Sequence, residues 1–182
     1  MRRVISWNMV TLDGFFEGPQ RGEIDWFTDV WGEELERYSL EQSRSIGALL
    51  FGRVTYQGMA AYWPTATGEI AAFMNSIPKV VFSTTMAAVN WNNSRLFTGK
   101  PEEEVARLKQ QPGKDLYIFG SANLSAALIH HGLIDEYRLA LNPLVLGGGT
   151  PLFKRSPTRL RMRLLEARPL SSGVVLLRYE PA

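Results

Sequence analysis

The sequence predicts a three-layer α/β/α domain built on a mostly parallel sheet, with an antiparallel hairpin at its C-terminal end. Three observations predict it. Short, largely apolar runs (Ala48–Phe51, Lys79–Phe82, Leu116–Phe119) alternate with segments of helical periodicity. Strand, glycine and helix start follow one another directly at Gly52 and again at Gly120. Near the end, the alternating run Leu160–Leu165 and the apolar run Val174–Tyr179 lie on either side of Ser171-Ser172-Gly173, a turn signal.

The 182 residues are enough for one domain with a full sheet between two helical layers. With 45% hydrophobic and 21% charged residues, the composition is that of a soluble globular protein. The absence of cysteine excludes disulfides, thiolate zinc sites and cysteine nucleophiles. His130 and His131, the only histidines, are neighbours on a helix and make a poor metal pair. A net charge of +2 does not by itself argue for nucleic acid. No apolar run reaches membrane-spanning length, and nothing resembles a signal peptide, so a cytoplasmic protein is expected.

Val4–Leu12 is rich in β-formers and ends at Asp13-Gly14, a turn signal. A loop from Glu17 to about Asp25 follows and gathers Glu17, Glu23 and Asp25. Trp26, Phe27, Val30, Trp31, Leu35 and Tyr38 recur at helical spacing, which predicts a mostly helical segment over 25–44, broken near Gly32. The strand over 48–51 runs into Gly52-Arg53-Val54-Thr55-Tyr56, a helix start with a positive charge and a hydroxyl. A short helix over 69–76 precedes the strand 79–82, which ends in Ser83-Thr84-Thr85. One short strand is expected within 91–97 and a helix from Pro101, whose first turn carries three glutamates. Gly147-Gly148-Gly149 reads as irregular, and Leu160–Leu165 as a half-buried strand with arginines on its other face.

The stretch Asp115–Phe153 holds the clearest chemistry. A strand (116–119), Gly120, a helix ending at Gly132 and a strand (137–141) form a βαβ unit. Helix N-termini carry unpaired N–H groups that can hold a phosphate, and Gly120 lets the backbone approach closely. A plain tight turn explains the same residues. Small hydroxyls at Ser83 and Thr84 sit where open α/β sheets hold ligands, though ordinary turn capping also accounts for them.

Four stretches together resemble the dihydrofolate reductase-like superfamily, in the branch of the riboflavin biosynthesis reductase domain. These are Val10–Gly14, Leu50–Tyr56, Val81–Thr84, and Asp135-Glu136 with Gly147–Phe153. The resemblance implies an NADPH-dependent reductase. Residue by residue, it implies that Arg53 with Ser83 or Thr84 holds the 2′-phosphate and adenosine. Gly52 opens that motif, and Thr55 lines the cofactor phosphates. It implies that Gly120, Ser121, Ala122, Asn123 and Leu124 cradle the pyrophosphate. Glu23–Phe27 is similar to the helix entry where dihydrofolate reductases keep their substrate carboxylate. In place of that family's Gly-Gly pair this chain has Gly120-Ser121, and a side chain there works against the turn's unusual backbone geometry.

In such a reductase the cofactor carries the hydride, and the protein orients the acceptor and routes a proton. Asp13, Glu23 and Asp25 are the candidate carboxylates, and Trp26 and Phe27 the rings to stack on a heterocycle. Each carboxylate has a plain alternative as a loop or capping residue. Three functions fit: reduction of a pteridine, pyrimidine or related heterocycle; the riboflavin-pathway reduction of a ribosylamino-pyrimidine; and a non-catalytic NADPH-binding module. A homodimer is expected, with the C-terminal hairpin as the sheet edge needing protection.

Overall fold

The computed structural model describes residues 1–155 and 159–182. Its sheet has eight strands in the order β5-β4-β3-β6-β1-β7-β10-β9. These are β1 (Val4–Thr11), β3 (Ile46–Gly52), β4 (Lys79–Phe82), β5 (Ser94–Phe97), β6 (Asp115–Phe119), β7 (Glu136–Asn142), β9 (Met162–Pro169) and β10 (Val175–Pro181). The pairings from β5 across to β7 are all parallel. Only β10 and β9 run antiparallel to their neighbours. The expected architecture is therefore the observed one. The inner strands β3, β4 and β6 read as largely apolar runs because helices cover both of their faces.

One face carries α1 (Glu33–Ser43), α2 (Arg53–Tyr62) and α3 (Glu69–Ser76); the other carries α4 (Pro101–Gln110) and α5 (Ala122–His130). Alternation along each strand feeds separate cores. Val4, Leu50, Leu116 and Ile118 pack with Val105 and Leu108 of α4 and Leu124 and Leu128 of α5. Ile5, Leu49, Phe51 and Tyr117 pack with Tyr56 of α2 and Met74 of α3. Leu35 and Tyr38 of α1 close the third core over Ala140 and Leu176. The helix C-terminus expected at Gly132 is there, with φ +62°.

The structure refines three expectations. The segment 25–44 is mostly helical with its break at Gly32, as expected, but its first part, Asp25–Val30, is a 3-10 helix and only Glu33–Ser43 is α-helical. The loop after β1 contains a strand, β2 (Phe15–Glu17), which pairs with β8 (Thr150–Pro151) beyond the glycines. Both are too short to show a period in sequence. The strand expected over 160–165 lies at Met162–Pro169, and its leucines are exposed rather than half-buried, Leu164 by 52%.

The acidic pair Asp135-Glu136 is structural. Asp135 accepts hydrogen bonds from Val4 N (2.7 Å) and Lys109 Nζ (2.5 Å), fixing the start of β1 against α4. Glu136 is fully buried among Arg3, Arg138 and Arg178, at 2.6–2.9 Å. Burial pushes its carboxyl pKa up, but the hydrogen bonds from Arg178 and Arg138 outweigh that and hold it below the usual range.

Candidate active site

The site forms where β1, β3, β4 and β6 end side by side, the crevice that open α/β sheets use for ligands. Its centre is the turn from β6 into α5. Gly120 and Ser121 are both left-handed, with φ +58° and +56°. That conformation costs a serine more than a glycine, and here four hydrogen bonds involving side chains hold it. Gly120 N donates to Asn8 Oδ1 at 2.8 Å. Ser121 N donates to Thr55 Oγ1 at 2.9 Å. Ser121 Oγ accepts from Gly52 N at 3.0 Å and donates to Phe119 O at 3.2 Å. The serine side chain therefore does not block the turn; it welds the end of β6 to the end of β3. A methyl at Gly120 would stand 3.1 Å from Thr55 and 3.4 Å from Phe16, so the fit there is tight.

This welding divides the residues expected to cradle a pyrophosphate. The N–H groups of Gly120 and Ser121 are already spent on side chains. Those of Ala122, Asn123 and Leu124 have no protein acceptor among the described residues, and no side chain caps α5. An anion at this helix end meets those three donors and the positive end of the dipole.

A second positive locus lies beside it. Arg53 begins α2, one strand over. Its Nη1 donates to Gln57 Oε1 at 3.3 Å, and Arg21 Nη2 donates to the same oxygen at 2.8 Å. Two guanidiniums thus share one neutral acceptor, and neither has a carboxylate partner among the described residues. Arg53 and Gln57 line an open groove of about 660 Å³ with Thr85, Met86, Ala87 and Ala88. Ser83 shapes that groove indirectly, since its Oγ accepts from Thr85 N and Met86 N at 3.2 and 3.1 Å. Thr84 is exposed on the same turn.

The carboxylates prove to be mostly clamps. Asp13 accepts from Thr11 Oγ1 (2.6 Å), Gly147 N (2.8 Å) and Leu146 N (3.2 Å), pinning the glycine loop to the end of β1. The Thr11 hydroxyl, with those two amides, holds its carboxyl below the usual range. Glu17 bridges Gly22 N and Thr150 Oγ1. At Gly149 a methyl would lie 2.2 Å from Glu17 O, so only glycine fits. Glu23 folds over Gly18 and accepts from Gln20 N at 2.9 Å. Asp25, by contrast, is exposed and has no side-chain partner among the described residues. Trp26 and Phe27 meet edge to face at 5.8 Å, and Phe27 packs on Trp31 at 6.1 Å. The indole N–H of Trp26 is buried without an acceptor.

Asn8, Phe16 and Arg21 were not among the residues singled out by sequence. Asn8 carried a signal, an amide inside an otherwise apolar β1. Phe16 and Arg21 gave none, because contacts with residues over thirty positions away define them.

The RibD C-terminal domain profile matches residues 2–176. The chain belongs to the RibD C-terminal domain family. YyaP of Bacillus subtilis (strain 168) is 35% identical over 191 residues, covering 98% of this chain and 94% of that protein. The structure of a putative riboflavin biosynthesis protein from Shewanella sp. PV-4 superposes with a TM-score of 0.83 at 22% identity, over 99% of each chain. A dihydrofolate reductase from Enterococcus faecalis, complexed with NADP(H), superposes at 0.67 with 12% identity, over 98% of this chain and 96% of that one. The fold is thus dihydrofolate reductase-like, in the form that the riboflavin-biosynthesis reductase domains share.

Proposed function

We propose that this protein is an NADPH-dependent reductase that delivers hydride to a C=N or C=O bond of a small heterocycle. The observation that carries the reading is the pair Arg21 and Arg53, two unneutralised guanidiniums meeting on Gln57 beside the groove at the end of β4. Charges so placed repel each other, and a phosphate dianion between them relieves that. The three unpaired amides of α5 supply a second anion site on the adjacent strand end. Two phosphate sites on neighbouring βα turns fit a dinucleotide with an extra phosphate. NADPH, when bound, supplies the hydride.

The chain's own residues do the rest. Arg53 and Arg21 hold the 2′-phosphate, and Ala122–Leu124 the pyrophosphate. Trp26 and Phe27 stack against the acceptor ring, and the unpaired Trp26 N–H donates to a ring heteroatom. Asp25 relays a proton to the reduced atom, since Asp13, Glu17 and Glu23 are committed to the loops. The riboflavin-pathway substrate, which bears a phosphate, would draw on exposed Lys154 and Arg155 after the glycine loop.

Titration of NADPH and NADH by fluorescence tests the cofactor assignment. NADPH should bind more tightly. A charge-assisted hydrogen bond contributes roughly 1.5–3 kcal/mol, so Arg53→Ala should weaken NADPH at least about tenfold and leave NADH nearly unchanged. Equal losses would remove Arg53 from the phosphate. Tight NADPH binding with no turnover of any imine, carbonyl, pteridine or pyrimidine would instead indicate a non-catalytic binding module.

A further inference from the structure

The groove beside Arg53 continues past Ala88. A second open hollow of about 360 Å³ adjoins it, and the two share Gln57, Met86 and Ala88. Together they make one channel between α2 and the segment that follows β4. Arg53, Gln57 and Ala61 recur every four residues, so they stand on one face of the helix, with Ala60 beside them and Pro64 just past the helix end. At about 1.5 Å per residue, Arg53 and Ala61 are roughly 12 Å apart. The channel therefore runs down α2, on the opposite face of the sheet from α5 and its free amides.

Its two halves differ in chemistry. The upper half is cationic: Arg53 and Arg21 meet on Gln57 Oε1, and no carboxylate lines either hollow among the described residues. The lower half is mostly carbon. Ala60, Ala61 and Ala88 are small, and they leave room on both walls. The polar tips of Tyr56 and Trp91 turn to other partners. The Tyr56 hydroxyl accepts Trp91 N at 2.9 Å, and the Trp91 indole donates to Asn75 Oδ1 at 2.7 Å. Both rings are buried, so they present no open face on which a base could stack. Apart from these and Gln57, only Asn90 brings a polar side chain to that half, among the described residues.

We infer that the channel is a second ligand site, for a phosphate monoester with an uncharged apolar chain. The phosphate lies between the two guanidiniums, and the chain lies along the alanines, where burial of each methylene strengthens binding. The inference rests on the anion locus of the proposed function, because the phosphate uses the same two arginines as the 2′-phosphate of NADPH. Such an ester and NADPH therefore exclude each other. NADH leaves the arginine pair free, so the ester tolerates NADH and shifts the protein's cofactor preference toward it.

Calorimetric titration of the full chain tests this, with inorganic phosphate and with octyl phosphate below its micelle concentration. Octyl phosphate should bind at least about tenfold more tightly than inorganic phosphate, since part of its chain leaves water. NADPH should displace it and NADH should not. Ala61→Gln, at an exposed position of α2, should abolish that gain and leave inorganic phosphate binding unchanged. Ala88→Gln, on the other wall, should do the same if the first variant folds poorly. Equal affinity for the two phosphates overturns the inference, as does a gain that survives both variants or resists NADPH. Binding only to vesicles of phosphatidylcholine and phosphatidic acid also overturns it, since the phosphate is then read at a membrane surface. If Arg53→Ala leaves both inorganic phosphate and NADPH binding unchanged, the anion locus is lost, and the proposed cofactor site falls along with this one.

Discussion

The carboxamide of Asn8 accepts the backbone N–H of Gly120 at 2.8 Å and donates to Ser6 Oγ at 3.0 Å. A residue in the middle of β1 thereby sets the orientation of the βα turn at the end of β6. Asn8 is 4% exposed, so the Gly120 N–H has no water to replace this acceptor.

Asn8→Ala should therefore lower stability by about 1–3 kcal/mol, the cost of an unsatisfied buried donor. It should also weaken NADPH and NADH by the same factor, because the turn precedes the amides that hold the part common to both. That equal loss separates Asn8, a positioning residue, from Arg53. A thermal melt with paired cofactor titrations measures both. An unchanged melt would show that the turn holds itself.

Asp13 and Asp25 should behave differently. Asp13→Asn removes a charged acceptor from Thr11, Gly147 and Leu146, so limited proteolysis should cut faster near Gly147. Asp13 has a lowered carboxyl pKa, through its Thr11 hydrogen bond first. Its contribution is present above the unfolded value and lost as pH falls through the folded one, so the acid limb of the stability curve should flatten in this variant. Asp25→Asn should leave the loop intact and reduce turnover alone. The reverse pattern would return the proton relay to Asp13.

Lys79 gives a stability signature at alkaline pH. The residue is 1% exposed, and its ammonium donates to Ile77 O and Asn92 O at 2.8 and 2.9 Å and lies 4.2 Å from the Trp91 ring. No carboxylate accompanies it among the described residues, and burial pushes its pKa down to about 8. Between there and the unfolded value of 10.5 the unfolded chain binds more protons, so stability rises with pH across that window. At about 1.4 kcal/mol per unit, the gain over Lys79→Met should reach about 1–3 kcal/mol by pH 10. Urea titrations from pH 7 to 10 measure it. Parallel curves for the two proteins would mean that the two carbonyls and the ring fully offset the burial.

The parallel strands, the βα turns and the helix end at Gly132 were legible in the sequence because each follows from local pattern. Apolar runs bury on both sides, glycine accepts φ near +60°, and helical spacing faces one way. Arg53 and the amides of Ala122–Leu124 were legible for the same reason: a helix start is a local event. The rest required the tertiary structure. Whether Asp13 and Glu23 are reactive or clamping depends on which amides stand opposite them, and the partners of Asp13 lie 133 and 134 residues away. Whether Ser121 tolerates its turn depends on Gly52 and Thr55, donors and acceptors from another strand end. Leu160, Met162 and Leu164 alternate with arginines as a half-buried strand would, yet the two leucines remain exposed, outside the cores formed by the described residues. Periodicity states which residues share a face; only packing decides what, if anything, covers it.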